Sequence, residues 1–518
     1  MRKMTVSALG LLLCLTLAAQ RPADTHQQEL EVLRQSFSLT NNAAGMGLAQ
    51  PSAGSKTQIS VFDQFGDYHL AQQGEGDLGF RFSTLRYDTF SDKLFMRGSF
   101  YYSLDREKNR AWSDVMDPWF SIPYIFGSSV AKDYTTHDCG LNFDLYTAPL
   151  GGWISVGIKT DYRVADISGL RDPRPRTGFL DYQLVPSALV TLGAHHIGLD
   201  LGYGYSKEKL SGLTTIQSYP NLYYYKMSGV DHVDGAVAAY SGFKRQFYGS
   251  RFLGDLSYQY ARGPWNVLAS AGLKYGKLQA FADKMQSPGS YNYWEYSGVA
   301  SASYASGSLL HSLRVEGRYK DAGADEYLQE LVSEKDPETG VATETWETLY
   351  TYKNRYMLTT TSVEAAYKLY GGHTGRDYRW SVGGGAALDG FVKLYYLPYS
   401  GFQSNALTLS VEGSFRLLES RGGHKVDLSA RGSFRKSLRT ALSVQEDNLY
   451  VEEVLRPDRD YYAKDALRVN GSILWEFPLN LGKAGLASGY VRLDGGLCKA
   501  LPEGSLSRVE ISVGLFTF

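Results

Sequence analysis

Apolar and polar residues alternate with a period of two over most of this chain. Ile154, Val156, Ile158, Tyr162 and Val164 oppose Ser155, Gly157, Lys159, Asp161 and Arg163, and Ile197, Leu199, Leu201, Tyr203 and Tyr205 oppose Gly198, Asp200, Gly202, Gly204 and Ser206. Leu313, Val315, Gly317 and Tyr319 alternate with Arg314, Glu316, Arg318 and Lys320. Val426, Leu428, Ala430 and Phe434 alternate with Lys425, Asp427, Arg431 and Arg435. Successive side chains of a strand point to opposite faces, so each run predicts a strand with one apolar face and one polar or small face. Such runs fall near 57–69, 76–88, 93–104, 134–147, 152–165, 179–192, 195–206, 246–261, 265–277, 291–305, 308–320, 354–370, 377–393, 403–418, 424–438, 463–477, 486–500 and 507–518. Each is long enough to cross a bilayer, which takes a strand of roughly 9–11 residues.

Alternation alone leaves a soluble sandwich in play, because it does not say which face is wet. The connections separate the two. Every second one is short, as at Thr89–Asp92, Ala148–Gly151, Gly193–Ala194, Arg262–Pro264, Ser306–Gly307, Gly371–Arg376 and Glu419–Gly423. The other set holds the long ones, 105–133, 207–245, 321–353 and 439–462. Transmembrane barrels of the outer membrane have short periplasmic turns and longer extracellular loops, which predicts this sorting. The expected fold is therefore all-β: a transmembrane antiparallel barrel of about eighteen strands, or sixteen if 57–69 or 486–500 fails to span. Closure is required because an open sheet edge cannot leave its backbone groups unpaired in lipid.

The chain ends on a strand with a terminal aromatic, Phe518, which resembles the signature read by the barrel-assembly machinery. Phe516 and Phe518 share the parity of Glu510 and Ser512, however, not of Val509, Ile511 and Leu515. Either a bulge near Gly514 reconciles them or the outward face is reversed. Export is expected from Met1–Ala19, where basic Arg2 and Lys3 precede a leucine-rich run and small Ala18 and Ala19. Cys14 follows Leu13 rather than a small residue, which disfavours lipidation. Residues 20–56 then form a periplasmic or lumenal tail and 57–518 the barrel. About 37 residues leave no room for a large plug domain, though a partial plug fits.

Composition supports this picture. The chain has 39 Tyr, 23 Phe and 8 Trp beside 55 Gly and 16 Pro, a mixture suited to strands. Mean hydropathy is −0.28, and no stretch after the first twenty residues is apolar enough for a membrane helix. The 53 basic residues nearly balance the 54 acidic ones, so no general field draws in nucleic acid. Tyrosines near strand ends, including Tyr101, Tyr102, Tyr203, Tyr205, Tyr319, Tyr395 and Tyr396, suit an interfacial girdle. Cys139 and Cys498 lie far apart, which leaves neither a disulfide framework nor a cysteine metal site.

Candidate chemistry is sparse. Surface catalysis by a barrel needs an acid–histidine or Ser-His pair at the outer rim. His195, His196, His311, His373 and His424 fall at the short-turn rim. His69 and His232 reach the other rim, but Asp67 and Asp231 do not present a matching pair. No catalytic residue, cofactor or metal ligand is expected. The polar face instead carries rows of charge: Lys159, Asp161 and Arg163; Arg314, Glu316, Arg318 and Lys320; Lys425, Asp427, Arg431 and Arg435. These would give a pore a weak anion preference. Equally, they would form ion pairs filling a closed interior.

Trp112-Ser113-Asp114-Val115-Met116-Asp117-Pro118 with Ile122-Pro123-Tyr124-Ile125, and Asp161-Tyr162 with Leu170-Arg171-Asp172-Pro173-Arg174-Pro175, resemble motifs of an uncharacterised family of Bacteroidota outer-membrane barrels. The likeness runs from about Asn41 through the first half of the chain. Members are often encoded near TonB-dependent transporters and surface lipoproteins. The resemblance thus implies an accessory or substrate-passing barrel in a surface uptake complex, with such a transporter or lipoprotein as partner. An autonomous diffusion porin is the alternative, and a surface enzyme the least favoured one. Other expected partners are outer-membrane lipids, lipopolysaccharide and the assembly machinery. Within the motifs, Arg171, Asp172, Arg174 and Arg176 suggest a loop clasp onto Asp114 and Asp117, or a docking element.

Overall fold

In the computed structural model, the residues described are 25–517, apart from 49–53, 121, 215–222, 238–243, 283–284, 336–337, 340–341, 376 and 481–485. The expected signal, Met1–Ala19, lies outside them, as does Phe518.

Among the described residues, eighteen strands close one antiparallel barrel. In chain order the first half comprises β1 (Gly54–Gly66), β2 (Gly76–Ser91), β3 (Leu94–Arg110), β5 (Lys132–Thr147), β6 (Ile154–Gly169), β7 (Arg174–Leu192), β8 (His195–Thr214), β11 (Arg245–Arg262) and β12 (Trp265–Phe281). The second comprises β13 (Gly289–Ser306), β14 (Leu309–Lys335), β15 (Ala342–Gly371), β16 (Trp380–Tyr395), β17 (Ser400–Glu419), β18 (Lys425–Ser443), β19 (Asp465–Asn480), β20 (Leu486–Leu501) and β21 (Ser505–Thr517). Each pairs with its neighbour in sequence, and β1 pairs with β21 to close the ring. Three short strands, β4 (Ile125–Gly127), β9 (Tyr223–Ser228) and β10 (His232–Val237), form a separate sheet within the long loops. All the expected strands are present. Several run past the expected ends on the long-loop side, because a ladder need not stop where the bilayer does.

The outward face is the apolar one. Val61, Leu199, Leu256, Leu313, Val411 and Ile511 are exposed, as a lipid-facing belt requires. At the short-turn rim, histidines serve outward tyrosines: His195 Nδ1 lies 2.7 Å from the Tyr258 hydroxyl, His311 Nδ1 2.7 Å from that of Tyr367, and His424 stacks on Trp475. Tyr203 and Tyr319 are exposed outward, but Tyr101 turns inward to donate to Asp138 and Tyr395 is buried in the loop core.

The end of the chain corrects both readings of its parity. Strand β21 pairs with β1 and β20 without a register shift, so there is no bulge at Gly514. Val509, Ile511 and Val513 face outward as expected. Phe516 faces the lumen, packed against Tyr490 and Leu474 with the Lys56 ammonium 5.5 Å from its ring. An aromatic at this position fills the periplasmic mouth instead of joining the girdle.

Candidate functional site

The segment before β1 folds into the lumen. Helix α1 (Thr25–Arg34) is followed by two 3₁₀ turns, Ser36–Leu39 and Ala44–Leu48. Leu30 is its buried apolar anchor, packing on Leu310, Tyr370 and Tyr378, and Arg34 sits in the last turn where the helix dipole favours a cation. One wall of the barrel holds α1 by charge. His26 stacks on Tyr378 at 3.8 Å. Its Nδ1 lies 2.6 Å from Arg416 Nη2 and 3.0 Å from Asp377 Oδ1, and its Nε2 3.3 Å from Asp427 Oδ2. Arg416 in turn donates to Asp427 (2.9 Å) and to Asp377 (2.6 Å). Nδ1 also lies 3.1 Å from the Tyr378 carbonyl, so the ring sits among one guanidinium and three oxygen acceptors, the carboxylates of Asp377 and Asp427 and that carbonyl. One turn along α1, Glu29 accepts from Lys368 (2.8 Å), Tyr370 (3.0 Å) and Tyr378 (2.6 Å). Burial alone would raise the Glu29 carboxyl, but Lys368 and these hydrogen bonds outweigh it and leave it below the ordinary range. Asp377, in the turn before β16, is half-buried, which raises its carboxyl, yet His26, Arg416 and Lys425 hold it far below the ordinary range.

The opposite wall holds the 3₁₀ turns through a row of side chains in register. Ser187 on β7 is paired with Asp200 on β8, and Asp200 with Asp255 on β11. Ser187 Oγ accepts from the Ala44 N–H (2.9 Å), and Asp255 accepts from Asn41 Nδ2 (2.8 Å). The run Asn-Asn-Ala-Ala-Gly-Met-Gly is small because the backbone comes close. A Cβ on Gly157 of the wall would stand 2.6 Å from the Ala44 nitrogen, and one on Gly47 would stand 2.0 Å from the Thr147 carbonyl. Residues 25–48 therefore contact β1, β15, β17, β18 and β19 on one side and β5–β7, β11 and β12 on the other, crossing the lumen at its periplasmic end.

The middle carboxylate of that row is anomalous. Asp200 is fully buried, and among the described residues neither of its oxygens has a hydrogen-bond partner of normal geometry. Asp200→Asn removes a buried carboxyl group opposite Asp255 and adds a donor. It is expected to stabilise the barrel by about 1–3 kcal/mol, the usual cost of such an unsatisfied group. The temperature at which the folded form is lost in heat-modifiability gels should rise, and a fall would contradict this reading of the row.

Two cavities flank the plug. One of about 570 Å³ lies between α1 and the wall formed by β15–β21, bounded by Glu29, Lys368, Glu412, Arg431, Arg492 and Glu510. One of about 340 Å³ lies beyond Asn41, bounded by Lys159, Asp255, Lys274, Glu295, Glu316 and Arg318. Acidic and basic side chains nearly balance in both, and the smaller is the more polar.

The other mouth is filled by loops. Trp112, Val115, Ile122, Ile125, Met227 and Val230 form an apolar core with Val451, Val454 and Leu455, sealed against Tyr356, Phe391, Tyr395 and Phe402 of the wall. Trp112, 2% exposed, donates to Glu453 (2.8 Å), while Tyr124 donates to the Asp325 carbonyl (2.7 Å). The first-half motif, Trp112 to Ile125, is thus the cap's core. Helix α2 (Arg456–Ala463) borders it. Asp458 in its first turn accepts from the Ala71 N–H (2.7 Å), and burial pushes its carboxyl up to about 6.

The loop clasp needs correction. Asp114 pairs with Arg245 (3.4 Å) and accepts from Tyr224 (3.0 Å) in a fully buried site; burial still raises its carboxyl. Asp117 accepts from the backbone of Trp119 and Phe120. Arg174 pairs with Asp172 (2.9 Å) and Arg176 with Asp166 (2.9 Å), while Arg171 is exposed, so the arginine run is held by its own hairpin. Two arginines at the base of β7 lie next to carboxylates of the same hairpin, and these local partners prevail over a distant loop.

The charge rows face inward as expected, and their partners come from neighbouring strands, from the turn before β16 and from within the rows themselves. Arg163 pairs with Asp138 (2.7 Å), Lys425 with Asp377 (3.1 Å) and Arg431 with Glu412 (4.0 Å). Asp427 meets Arg416, and Arg314 pairs with Glu316. Asp161 accepts from Asn142 (2.6 Å), Lys159 reaches Asn41 (3.4 Å), and Arg318 borders the smaller cavity. Lys320 donates to the Phe120 carbonyl (3.1 Å) and Arg435 to those of Tyr462 and Lys464, tying cap to wall. Read across strands, the basic excess of single rows is largely neutralised. His69 lies against the Leu70 carbonyl, and His232 pairs with Glu446 (2.7 Å). Among the described residues, no group of three or more His, Cys, Asp or Glu could hold a metal. Sequence reasoning misses the plug latch of His26, Glu29, Asp377 and Arg416. Its one signal there is the weak amphipathicity of 27–37.

No curated protein matches the sequence. Among solved structures the chain is similar to the copper transporter OprC (8% identity, covering 90% of this chain and 81% of that one, TM-score 0.39). It is also similar to the siderophore receptor PiuA from Acinetobacter baumannii (8%, 90% and 82%, TM-score 0.36) and the Pseudomonas putida toluene transporter TodX (10%, 93% and 93%, TM-score 0.30). Residues 43–517 match the family of unknown function DUF6850, and the chain belongs to that family.

Proposed function

We propose that this outer-membrane barrel is a gated transport component, shut at rest by the plug at its periplasmic mouth and the cap at its outer mouth. It passes small polar solutes as an accessory of a surface uptake complex. In this reading Met1–Ala19 directs export, and a surface lipoprotein or TonB-dependent transporter is the working partner. The observation that carries the proposal is the chemistry of the plug's seat. Residues 25–48 are held by hydrogen bonds and ion pairs to the wall together with two small apolar clusters, one around Phe37 and Met46 and one around Leu30. Polar contacts exchange for water at a net cost of about 0.5–1.5 kcal/mol each, so such a plug can leave without exposing a large apolar face. The paired charges of the flanking cavities suit polar solutes with little net charge.

Ala44→Cys with Ser187→Cys should tie plug to wall when oxidised, since the Ala44 nitrogen lies 2.9 Å from Ser187 Oγ. Cells carrying the locked barrel are expected to take up labelled amino acids, short peptides and sugars at the rate of cells lacking the protein, with reductant restoring the wild-type rate. Equal uptake by locked and wild-type cells over the whole panel would reject the gated reading.

A further inference from the structure

The longest strands in the barrel, β14 and β15, do not end at the rim. Strand β13 accompanies β14 only as far as Glu326, and the last contacts from that side are Tyr327 N–H to the Pro288 carbonyl (2.9 Å) and Ser287 N–H to Gln329 Oε1 (2.8 Å). Strand β16 accompanies β15 only from Tyr356, with one further backbone bond from Tyr396 N–H to the Arg355 carbonyl and the Arg355 guanidinium on the Tyr396 and Leu397 carbonyls. Beyond these points, among the described residues, the two strands have ladder partners only in one another, out to Lys335 opposite Ala342. At about 3.3 Å per residue the unaccompanied ribbon projects roughly 20 Å.

Such a ribbon is marginal alone, and this one carries features that weaken it further. Glu330 stands directly opposite Glu347, a repulsive cross-strand pair. Leu328, Leu349 and Tyr350 are 50%, 58% and 57% exposed. Residues 327–352 carry six carboxylates against one lysine, a net charge of −5 where the whole chain carries −1. Two open edges with apolar side chains invite strand addition, and proteins normally blunt such edges unless they are used.

We infer that the paired arms of this ribbon, 327–335 and 342–352, form a docking strand for a cationic, extended segment of an exported protein. This rests on the reading of the barrel as an accessory with a surface partner. The charge selects the occupant. A second copy would bring another −5 into contact, and lipopolysaccharide phosphates would meet carboxylates. A segment of alternating basic and apolar residues would instead pair its backbone with the open edge, set its cations along the face of Glu330, Glu334 and Glu347, and lay its apolar side chains along the other face, which carries Leu331 opposite Trp346.

The test uses the full-length barrel in detergent and three synthetic octapeptides, read by fluorescence anisotropy. They are alternating Lys-Val, alternating Glu-Val, and Lys-Val with every second backbone nitrogen methylated. Lys-Val is expected to bind the wild-type barrel. Binding should weaken at least tenfold for the Glu-Val peptide, for the methylated peptide, and for Lys-Val with the Glu330→Lys/Glu347→Lys variant. Replacing 328–350 by Asn-Gly joins Tyr327 to its register partner Thr351 in a tight turn and should abolish binding. No binding of Lys-Val, or equal binding of the methylated peptide or by the shortened barrel, would overturn the inference. Conductance of the shortened barrel reads the plug independently, so failure of the docking strand and failure of the gate are told apart.

Discussion

Arg416→Ala is expected to unseat the plug. The guanidinium is shared by Asp377 and Asp427 and it also contacts His26, so its loss leaves two carboxylates facing each other across the ring that α1 inserts between them. Removing one partner from a buried pair costs about 3–5 kcal/mol, and here the molecule has a less costly response than unfolding. The helix can leave and let water reach both carboxylates. The barrel, closed by its backbone ladder, should remain folded and heat-modifiable. The expected result is a folded barrel whose N-terminal segment is cleaved by added protease at least tenfold faster than in the wild type. Wild-type protection would contradict the role given to Arg416. The same latch has a pH dependence of defined sign. Glu29 and Asp377 are held below their ordinary values in the seated state. Their contribution is therefore complete above those ordinary values, about 4, and is lost as the pH falls and they protonate in place. Acid should thus mimic the substitution.

Arg245→Ala is expected to open the cap while leaving the plug seated. Asp114 is fully buried, and Arg245 and Tyr224 are its partners. Arg245 also binds the Glu208 carboxylate (3.3 Å), which accepts the Met116 N–H (3.3 Å). Without the guanidinium, two carboxylates remain in a low-dielectric pocket at a cost of about 3–5 kcal/mol. The loop around Trp112 can lift to hydrate Asp114, exposing the apolar core made with Met227 and Val454. Proteolysis between 111 and 131 should become rapid on intact cells, with tryptophan emission shifted to the red. Arg245→Lys, which keeps the charge but not the fork, is expected to fall between the two. A cap equally resistant in wild type and Arg245→Ala would show that its apolar core suffices.

How much of this is legible in the sequence depends on the range of the interaction. The strands can be read because the barrel's two solvents, lipid and lumen, impose a period of two on every run, and because short and long connections sort to opposite rims. Strands β14 and β15 outrun their expected ends, because the pattern continues beyond the bilayer in a region rich in Glu and Thr that resembles a polar loop. The cap looks like loop because its core residues, Trp112, Met227 and Val454, are scattered over three connections and show no local period. The expected clasp fails for the same reason: Asp114 finds Arg245 across 131 residues, while local carboxylates take Arg174 and Arg176. The plug latch spans more still, with 351 residues between His26 and Asp377 and 390 between His26 and Arg416. The short, weakly amphipathic helix at 25–34 gives no hint that its docking face sets His26 and Glu29 beside the apolar anchor Leu30. Phe516 keeps the alternation of β21: with no bulge it falls on the lumenal face with Ser512, where Tyr490 and Leu474 take its ring, partners that the local pattern does not reveal.

Closure of the lumen by the plug is tested most directly by single-channel recording in planar bilayers. The wild-type barrel is expected to be silent or to flicker rarely, and a barrel that both lacks residues 25–48 and carries Arg245→Ala to open the cap should show long-lived openings of stable unit conductance, since an eighteen-stranded barrel is wide enough to hold an aqueous channel once its filling is removed. A wild-type barrel that conducts continuously, with the same unit conductance as the truncated one, would contradict closure and establish an open porin.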